Sequence, residues 1–338
     1  LINNKIFLTI LLLVILFLSY LSIPNIYNQN QISEELKKSL VEKLNLEFNF
    51  EKKFDYKFFP RPHFITNESS LIFNKKKISE ISKIKIYVSL DKLFSLKNIR
   101  VKDVIIDGAN FNFNNNNNSF FIKLLDNNFK DIKFEILNSN IFYRNFEDEV
   151  LFINKITNAK YIYDLNESKN IFYSENDIFN LPYSIELSNS EDKKKLNSKI
   201  EIESLDLQIE NQFSYGEKFN TGFSEFNFLN LKSIAEYKAK KNYFEFKLLD
   251  KAQNSKYSYN GKLNFRPFHS TLEGFTSEIN FTHLFTANGI IKELLKTEIL
   301  NNQNVDFKLD ISANEIKNFD HFVNISLKSK IQEGLIDL

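Results

Sequence analysis

From Leu46 onward, apolar side chains recur at every second position in segment after segment. That spacing sets them on one side of an extended chain and does not fit a helix, whose faces repeat every 3.6 residues. LEFNF (46–50) places Leu46, Phe48 and Phe50 together, and KIKIYVSL (83–90) places Ile84, Ile86, Val88 and Leu90 opposite Lys85, Tyr87 and Ser89. Further along come Ile132, Phe134 and Ile136, then Phe244, Phe246 and Leu248. Val305, Phe307, Leu309 and Ile311 follow, and last Val323, Ile325 and Leu327. Each predicts a strand that is apolar on one side and wet on the other.

In KIEIESLDLQIE (199–210) Ile200 and Ile202 share one parity, whereas Leu205, Leu207 and Ile209 share the other. A one-residue slip inverts every side chain, so this pattern predicts a bulge near Ser204. Helical spacing returns only in LFTANGIIKELLKTEIL, which predicts a short helix near 290–300.

Two segments precede the strands. Residues 6–23, IFLTILLLVILFLSYLSI, carry no charge and are long enough to cross a ~30 Å hydrocarbon core as a helix. Lys5 precedes them and no basic residue follows until Lys37, a bias that leaves residues 1–5 in the cytoplasm and everything after 23 across the membrane. The stretch lacks an A-x-A-like cleavage site and exceeds a usual signal-peptide core, so it predicts an uncleaved anchor. After Pro24, Ile32, Leu36, Leu40 and Leu44 recur every four residues, predicting an amphipathic helix within 24–45, with Ser33 placed to cap it and the end of a sheet to close.

These elements predict a mostly β protein: a transmembrane helix, a capping helix, then an elongated, curved antiparallel sheet forming an open apolar groove. Seven glycines are few for the tight turns of a compact sandwich, and a greasy sheet face left uncovered marks an interaction site. The expected divisions are 46–165 for a first part of the groove and 166–338 for its continuation. The closing IQEGLIDL reads as an unfinished strand, so a missing or reduced C-terminal part is expected.

Catalytic signals are weak. The four histidines, His63, His269, His283 and His321, stand in no metal-ligand spacing, and no cysteine is present. No phosphate-binding glycine motif or nucleophile elbow occurs, and a net charge of +1 offers nothing to a nucleic acid. The expectation is a protein that is not an enzyme, with no metal, no cofactor and no nucleic-acid partner.

FFPRPHF (58–64) holds two of the five prolines. Pro60 and Pro62 lack N–H groups and hold Phe59 and Arg61 extended, so Phe59, Pro60 and Pro62 predict a structural corner at a strand end. Phe58, Phe59 and Phe64 are expected to wedge that corner against the helix, with Arg61 and His63 facing solvent.

In order, these features resemble the N-terminal region of the AsmA family of inner-membrane-anchored proteins. The resemblance is carried by Phe59, Pro60 and Pro62; by Ile84, Ile86, Val88, Leu90, Leu93 and Phe94; by Ile99, Val101, Val104 and Ile106; and by Phe111 and Phe113. FEILNSNIFYRN (134–145) resembles a later strand, polar turn and strand of that family. The match covers roughly residues 1–155 and is thematic beyond, and asparagine often stands where the family has a turn glycine.

The resemblance implies a periplasmic β-groove of the bridge-like lipid-transfer kind, binding phospholipid acyl chains and aiding lipid transport to, and biogenesis of, the outer membrane. Its implied lining is Phe48, Phe50, Ile84, Ile86, Val88, Leu90, Ile132, Phe134, Ile136, Ile200, Ile202, Phe244, Phe246, Leu248, Phe307, Leu309, Val323 and Ile325. Implied partners are phospholipids and the inner membrane. The alternative is a scaffold that carries no lipid and helps assemble outer-membrane or other envelope proteins.

Overall fold

The computed structural model describes residues 2–114, 117, 119–145, 147–189, 195–216, 220–228, 231–240, 243–250, 257–265, 268–279, 306–332 and 335–337. The helix expected near 290–300 and the strand position Val305 lie outside them. Two units divide the chain, Leu1–Ser174 and Glu175–Leu338, nine residues beyond the 165/166 boundary expected from sequence.

Helix α1 (Ile2–Ser22) runs into a 3-10 turn at Ile23–Ile26, with Pro24 at its first positions where a missing N–H is harmless. Lys5–Ile26 is long and apolar enough to cross a membrane, and its side chains from Ile6 to Leu18 point outward with no protein against them. Helix α2 (Gln29–Leu44) starts five residues earlier than Ser33 would allow, because Asn28 accepts a hydrogen bond from the Asn30 N–H at 2.9 Å and serves as the cap. It ends where Asn45 turns left-handed at φ 51°, its N–H bonded to the Val41 carbonyl at 2.9 Å.

The first unit continues with β1 (Glu47–Phe50), β2 (Asp55–Lys57), β3 (His63–Phe73), β4 (Lys76–Val88) and β5 (Val101–Phe113). A short helix, α3 (Phe120–Leu124), leads to β6 (Lys133–Arg144), β7 (Val150–Asp164) and β8 (Lys169–Ile178), the last crossing the boundary. Pairing is antiparallel except between β5 and β6, which run parallel because α3 carries the chain back across the sheet.

One face of this sheet is covered. Ile32, Leu36, Leu40 and Leu44 of α2 are buried against it, and Phe120, Leu124, Leu125 and Phe129 of the crossover fill the rest. The two covers meet where the Asn127 Nδ2 donates to the Leu44 carbonyl at 2.5 Å, which satisfies an acceptor at the helix end. Tyr161 stacks on Phe129 at 5.1 Å and donates its hydroxyl to the Phe121 carbonyl at 2.8 Å.

A seam crosses this sheet. In β3 the buried parity changes between Thr66 and Ser69, in β4 between Ile81 and Ile84, in β5 between Ile106 and Ala109, in β6 between Ile136 and Ser139, and in β7 between Ile156 and Ala159. The registers stay in step on both sides: Asn67↔Lys83 and Ser69↔Ile81, Lys83↔Asp107 and Ile81↔Ala109, Leu137↔Asn158 and Ser139↔Ile156. Each of these five strands thus carries one extra residue at the same level, and the ladder survives because all five shift together. Positive φ at Glu68 (52°), Gly108 (72°) and Asn138 (46°) accommodates the extra residue. Backbone groups freed there are met by side chains: the Ala109 N–H donates to Ser139 Oγ at 2.9 Å. FEILNSNIFYRN is therefore one kinked strand and not two strands joined by a turn.

The FFPRPHF stretch lies at the β2–β3 connection, Lys57 pairing with His63, and the Phe59–Pro60 peptide is cis. Its side chains differ from expectation. Phe64 is buried, but Phe58 and Phe59 are exposed and wedge nothing. His63 is buried beside the Tyr87 ring at 4.9 Å and donates from Nδ1 to the Arg61 carbonyl at 2.6 Å. Arg61 is exposed, as expected, yet it lies 4.4 Å over the same ring and pairs with Asp103 at 2.6 Å, so it helps to tie the corner down.

The second unit contains β9 (Leu181–Asn189), β10 (Lys195–Ile202), β11 (Leu207–Ser214), β12 (Asn220–Phe228) and β13 (Leu231–Ala239). It continues through β14 (Tyr243–Asp250), β15 (Tyr257–Phe265), β16 (Phe268–Ile279), β17 (Phe307–Ile316), β18 (Phe319–Gln332) and β19 (Leu335–Asp337). Neighbours from β9 to β19 pair in order, all antiparallel except β16 with β17. No bulge sits at Ser204. Glu203–Leu205 is a 3-10 turn, Asp206 is left-handed at φ 47°, and the chain reverses, pairing Ile202 with Leu207 and Ile200 with Ile209. The change of parity is a hairpin, because residues at the two ends of a turn face the same side only when their registers match across it.

Candidate functional site

Cross-strand registers of the second unit assemble unbroken rows on one face. One runs Ile185, Ile200, Ile209, Phe226. The next runs Leu187, Ser198, Asn211, Ser224, Ala235, Leu248, Tyr259, Gly274, Ile311, Leu327. A third carries Phe213, Gly222, Tyr237, Phe246, Gly261, Leu272 and Leu309, and a fourth Phe244, Leu263, Ser270 and Phe307. Residues directly opposite across a ladder share a face, so the expected lining residues Ile200, Ile202, Phe244, Phe246, Leu248, Phe307, Leu309 and Ile325 are brought to a single surface. They are half-buried, and among the described residues no helix lies on them.

Three of the chain's seven glycines stand in these rows, each directly opposite an aromatic ring. A Cβ on Gly222 would come within 1.9 Å of the Tyr237 ring, on Gly261 within 2.1 Å of Phe246, and on Gly274 within 2.2 Å of Tyr259. The missing side chains let the rings lie down across the neighbouring strand instead of standing off the sheet. An apolar concavity of about 460 Å³ opens beside them, lined by Leu207, Phe226, Ala235, Tyr237, Phe244, Phe246, Leu248 and Leu272 with Ser224 and Ser233.

One polar cluster interrupts the face. Tyr237 and Ser224 both donate to Asn211 Oδ1, at 2.5 and 2.9 Å, and Asn211 Nδ2 donates to Ser198 Oγ at 3.1 Å. Burial pushes the Tyr237 hydroxyl pKa up, with the Asn211 bond pulling the other way. The opposite surface is charged: a larger concavity of about 800 Å³ is edged by Glu236, Lys238, Glu245, Lys247, Lys262 and Glu273. Lys262 pairs with Glu245 at 3.8 Å and Lys199 with Glu201 at 2.7 Å, which reads as a solvated sheet face.

In the first unit the expected lining residues are placed otherwise. Phe48, Ile84, Ile86, Val88, Ile132, Phe134 and Ile136 are buried in the core beneath α2 and the crossover, so protein side chains already occupy the space before them. Phe50 is half-buried under Lys37, whose Nζ is 5.7 Å from its ring. Leu90 belongs to no strand: β4 ends at Val88 and Leu90 opens an exposed 3-10 turn. Val323 is exposed on β18, next to the left-handed Asn324 that breaks the alternation.

His63 is buried, His269 Nδ1 lies 3.1 Å from Asp306, His321 is exposed, and His283 lies outside the described residues. Among the described residues no three histidine or carboxylate side chains gather as a metal site.

The family model of AsmA matches residues 2–207, well over half of the chain. The chain belongs to the AsmA family. No curated protein matches it significantly. The AsmA match takes in the whole first unit, with its anchor helix, α2 cover and proline corner, and stops at Leu207. The apolar concavity of the second unit therefore lies almost wholly beyond the stretch by which the AsmA assignment is made.

Proposed function

We propose that this AsmA-family protein is anchored in the inner membrane, stands in the periplasm, and binds phospholipid acyl chains on the apolar face of its second unit, aiding lipid transport to and biogenesis of the outer membrane. The observation that carries the reading is the set of half-buried apolar side chains aligned strand by strand on one face of the second unit, interrupted by the Asn211 cluster, with the concavity of about 460 Å³ beside Phe246. That volume falls in the usual range of ligand pockets, and each acyl CH₂ taken out of water gains ~0.8 kcal/mol without asking for a hydrogen bond. Rows that repeat strand by strand offer a chain similar contacts at each step, so it slides without a deep trap. On this reading the protein is not an enzyme and needs no cofactor. Its first unit is the closed, anchoring part, and only the second is open to lipid.

A photo-crosslinking residue at Leu248, on the apolar face, and at Lys247, on the charged face, tests this in the full chain in nanodiscs. Phospholipid adducts at 248 and none at 247 are expected. Adducts at neither site in folded protein, or protein adducts alone at 248, overturn the lipid reading, the second outcome favouring a scaffold.

A further inference from the structure

At one end of the first unit, large apolar side chains stand in solvent beside the end of the anchor helix. Phe59 is 80% exposed, Phe94 71%, Leu90 47% and Phe58 43%. Phe58 and Phe59 belong to the β2–β3 loop, Leu90 and Phe94 to the β4–β5 loop. Both loops leave the same end of the sheet, since His63 pairs with Tyr87, Val88 with Val101, and the Val88 N–H donates to the Pro62 carbonyl at 3.0 Å.

Their position relative to a bilayer follows from the helix. Tyr20, inside the apolar span near its far end, packs its ring 4.6 Å from Phe94 and donates its hydroxyl to the Leu90 carbonyl. Tyr27 donates to the Leu93 carbonyl at 2.6 Å. A tyrosine at the end of a spanning helix sits at headgroup depth, where an amphipathic ring is comfortable. Whatever touches it shares that depth. The cover for these side chains is thus the membrane that takes the helix.

We propose that the β2–β3 and β4–β5 loops form an apolar tip that dips into the bilayer interface, Phe94 and Leu90 beside Tyr20 and Phe58 and Phe59 next to them, so that the sheet is held against the membrane by a second attachment besides the helix. The tip rests on the helix spanning the membrane and is independent of lipid occupancy in the second unit. It gives the FFPRPHF stretch a use for the two phenylalanines that the core leaves out.

The chain has no cysteine, so single-cysteine variants take one label each. An environment-sensitive fluorophore is placed at Phe59→Cys, Phe94→Cys, Leu13→Cys in mid-helix, and Lys75→Cys in the β3–β4 turn at the opposite end of the sheet. Each full-length variant is put into phosphatidylcholine nanodiscs with and without lipid carrying a doxyl quencher. Blue-shifted, quenchable emission at 59, 94 and 13, and water-like unquenched emission at 75, is the expected result. Quenching at 13 without quenching at 59 and 94 overturns the tip and leaves the anchor standing. Blue-shifted but unquenched labels at 59 and 94 also overturn it, since protein would then be the cover. Silence at 13, 59 and 94 overturns both together.

Discussion

Ser82 donates a hydrogen bond from its Oγ to the carbonyl of Gly108 at 2.9 Å, in the row where five strands each carry one residue too many. A Cβ on Gly108 would lie 3.0 Å from that same Oγ, and the backbone there has φ +72°. The glycine is therefore required twice, once for the left-handed turn and once for the close approach of Ser82. Gly108→Ala should destabilise the first unit by ~1–2 kcal/mol, the usual cost of a left-handed L-residue. Hydrogen exchange of the β4 and β5 amides reads this directly, and unchanged protection would mean that the seam tolerates a normal backbone.

The cover of the first unit offers a paired test on one helix. Leu40 is fully buried and its neighbour Val41 is exposed. Leu40→Ala should cost ~2–5 kcal/mol, the range for emptying a packed leucine site. Val41→Ala should stay within about 0.5 kcal/mol, as a surface change does. Denaturant midpoints of the two variants compare them. Equal effects would contradict the placement of α2 on the sheet.

Tyr161 ties the crossover to the sheet through its bond to the Phe121 carbonyl, and burial holds its pKa well above the ordinary 10.0. Burial, with Tyr20 adding to it, also pushes Tyr56 up to about 12. A raised pKa means that the folded chain keeps a proton which the unfolded chain gives up. Stability from these groups is whole below pH 10 and falls as pH rises through the folded values. Tyr161→Phe should lose ~0.5–1.5 kcal/mol at neutral pH, because the half-buried Phe121 carbonyl loses its partner. It should also soften the alkaline decline, which thermal melts between pH 8 and 11.5 would show. A decline as steep as in the parent would assign the alkaline loss to other groups.

Much of this fold was legible in the sequence, and the rest was hidden for identifiable reasons. Alternation at Ile84, Ile86 and Val88 and at Phe244, Phe246 and Leu248 was readable because side chains on a strand repeat every two residues. Whether such a face meets a helix or open space is a long-range matter: the first set is buried under α2, the second is half-open, and their local patterns are alike. The parity change at Ser204 was visible, but a bulge and a hairpin leave the same trace. The seam was equally visible, in Val104 and Ile106 against Ala109 and Phe111, yet its meaning needed the neighbouring strands to shift with it. Nothing local announces that His63, between Pro62 and Phe64, has a buried ring. The signal that could have marked the open face was Gly222, Gly261 and Gly274, each inside a strand where no turn calls for glycine.

Those glycines support a last prediction. Phe246 lies across Gly261, and a methyl group there would sit 2.1 Å from the ring. Gly261→Ala must either lift the ring off the sheet or part β14 from β15. Overpacking of this kind costs ~1–3 kcal/mol. Phe246→Ala alone loses the ring's own burial and leaves Gly261 bare. If the two are linked by contact, the double variant should be more stable than the sum of the single losses implies, because the added methyl then fills the place of the ring. A coupling of ~0.5–3 kcal/mol is the size expected for residues that touch. Additive losses would mean that the ring does not rest on the glycine. A lifted ring also narrows the concavity beside Leu248 and Leu272, so Gly261→Ala should reduce phospholipid crosslinking at 248 even where the chain remains folded. Full crosslinking together with measurable coupling would separate the two roles, leaving the glycine–aromatic pair as a prop for the sheet and placing the acyl chain elsewhere on the face.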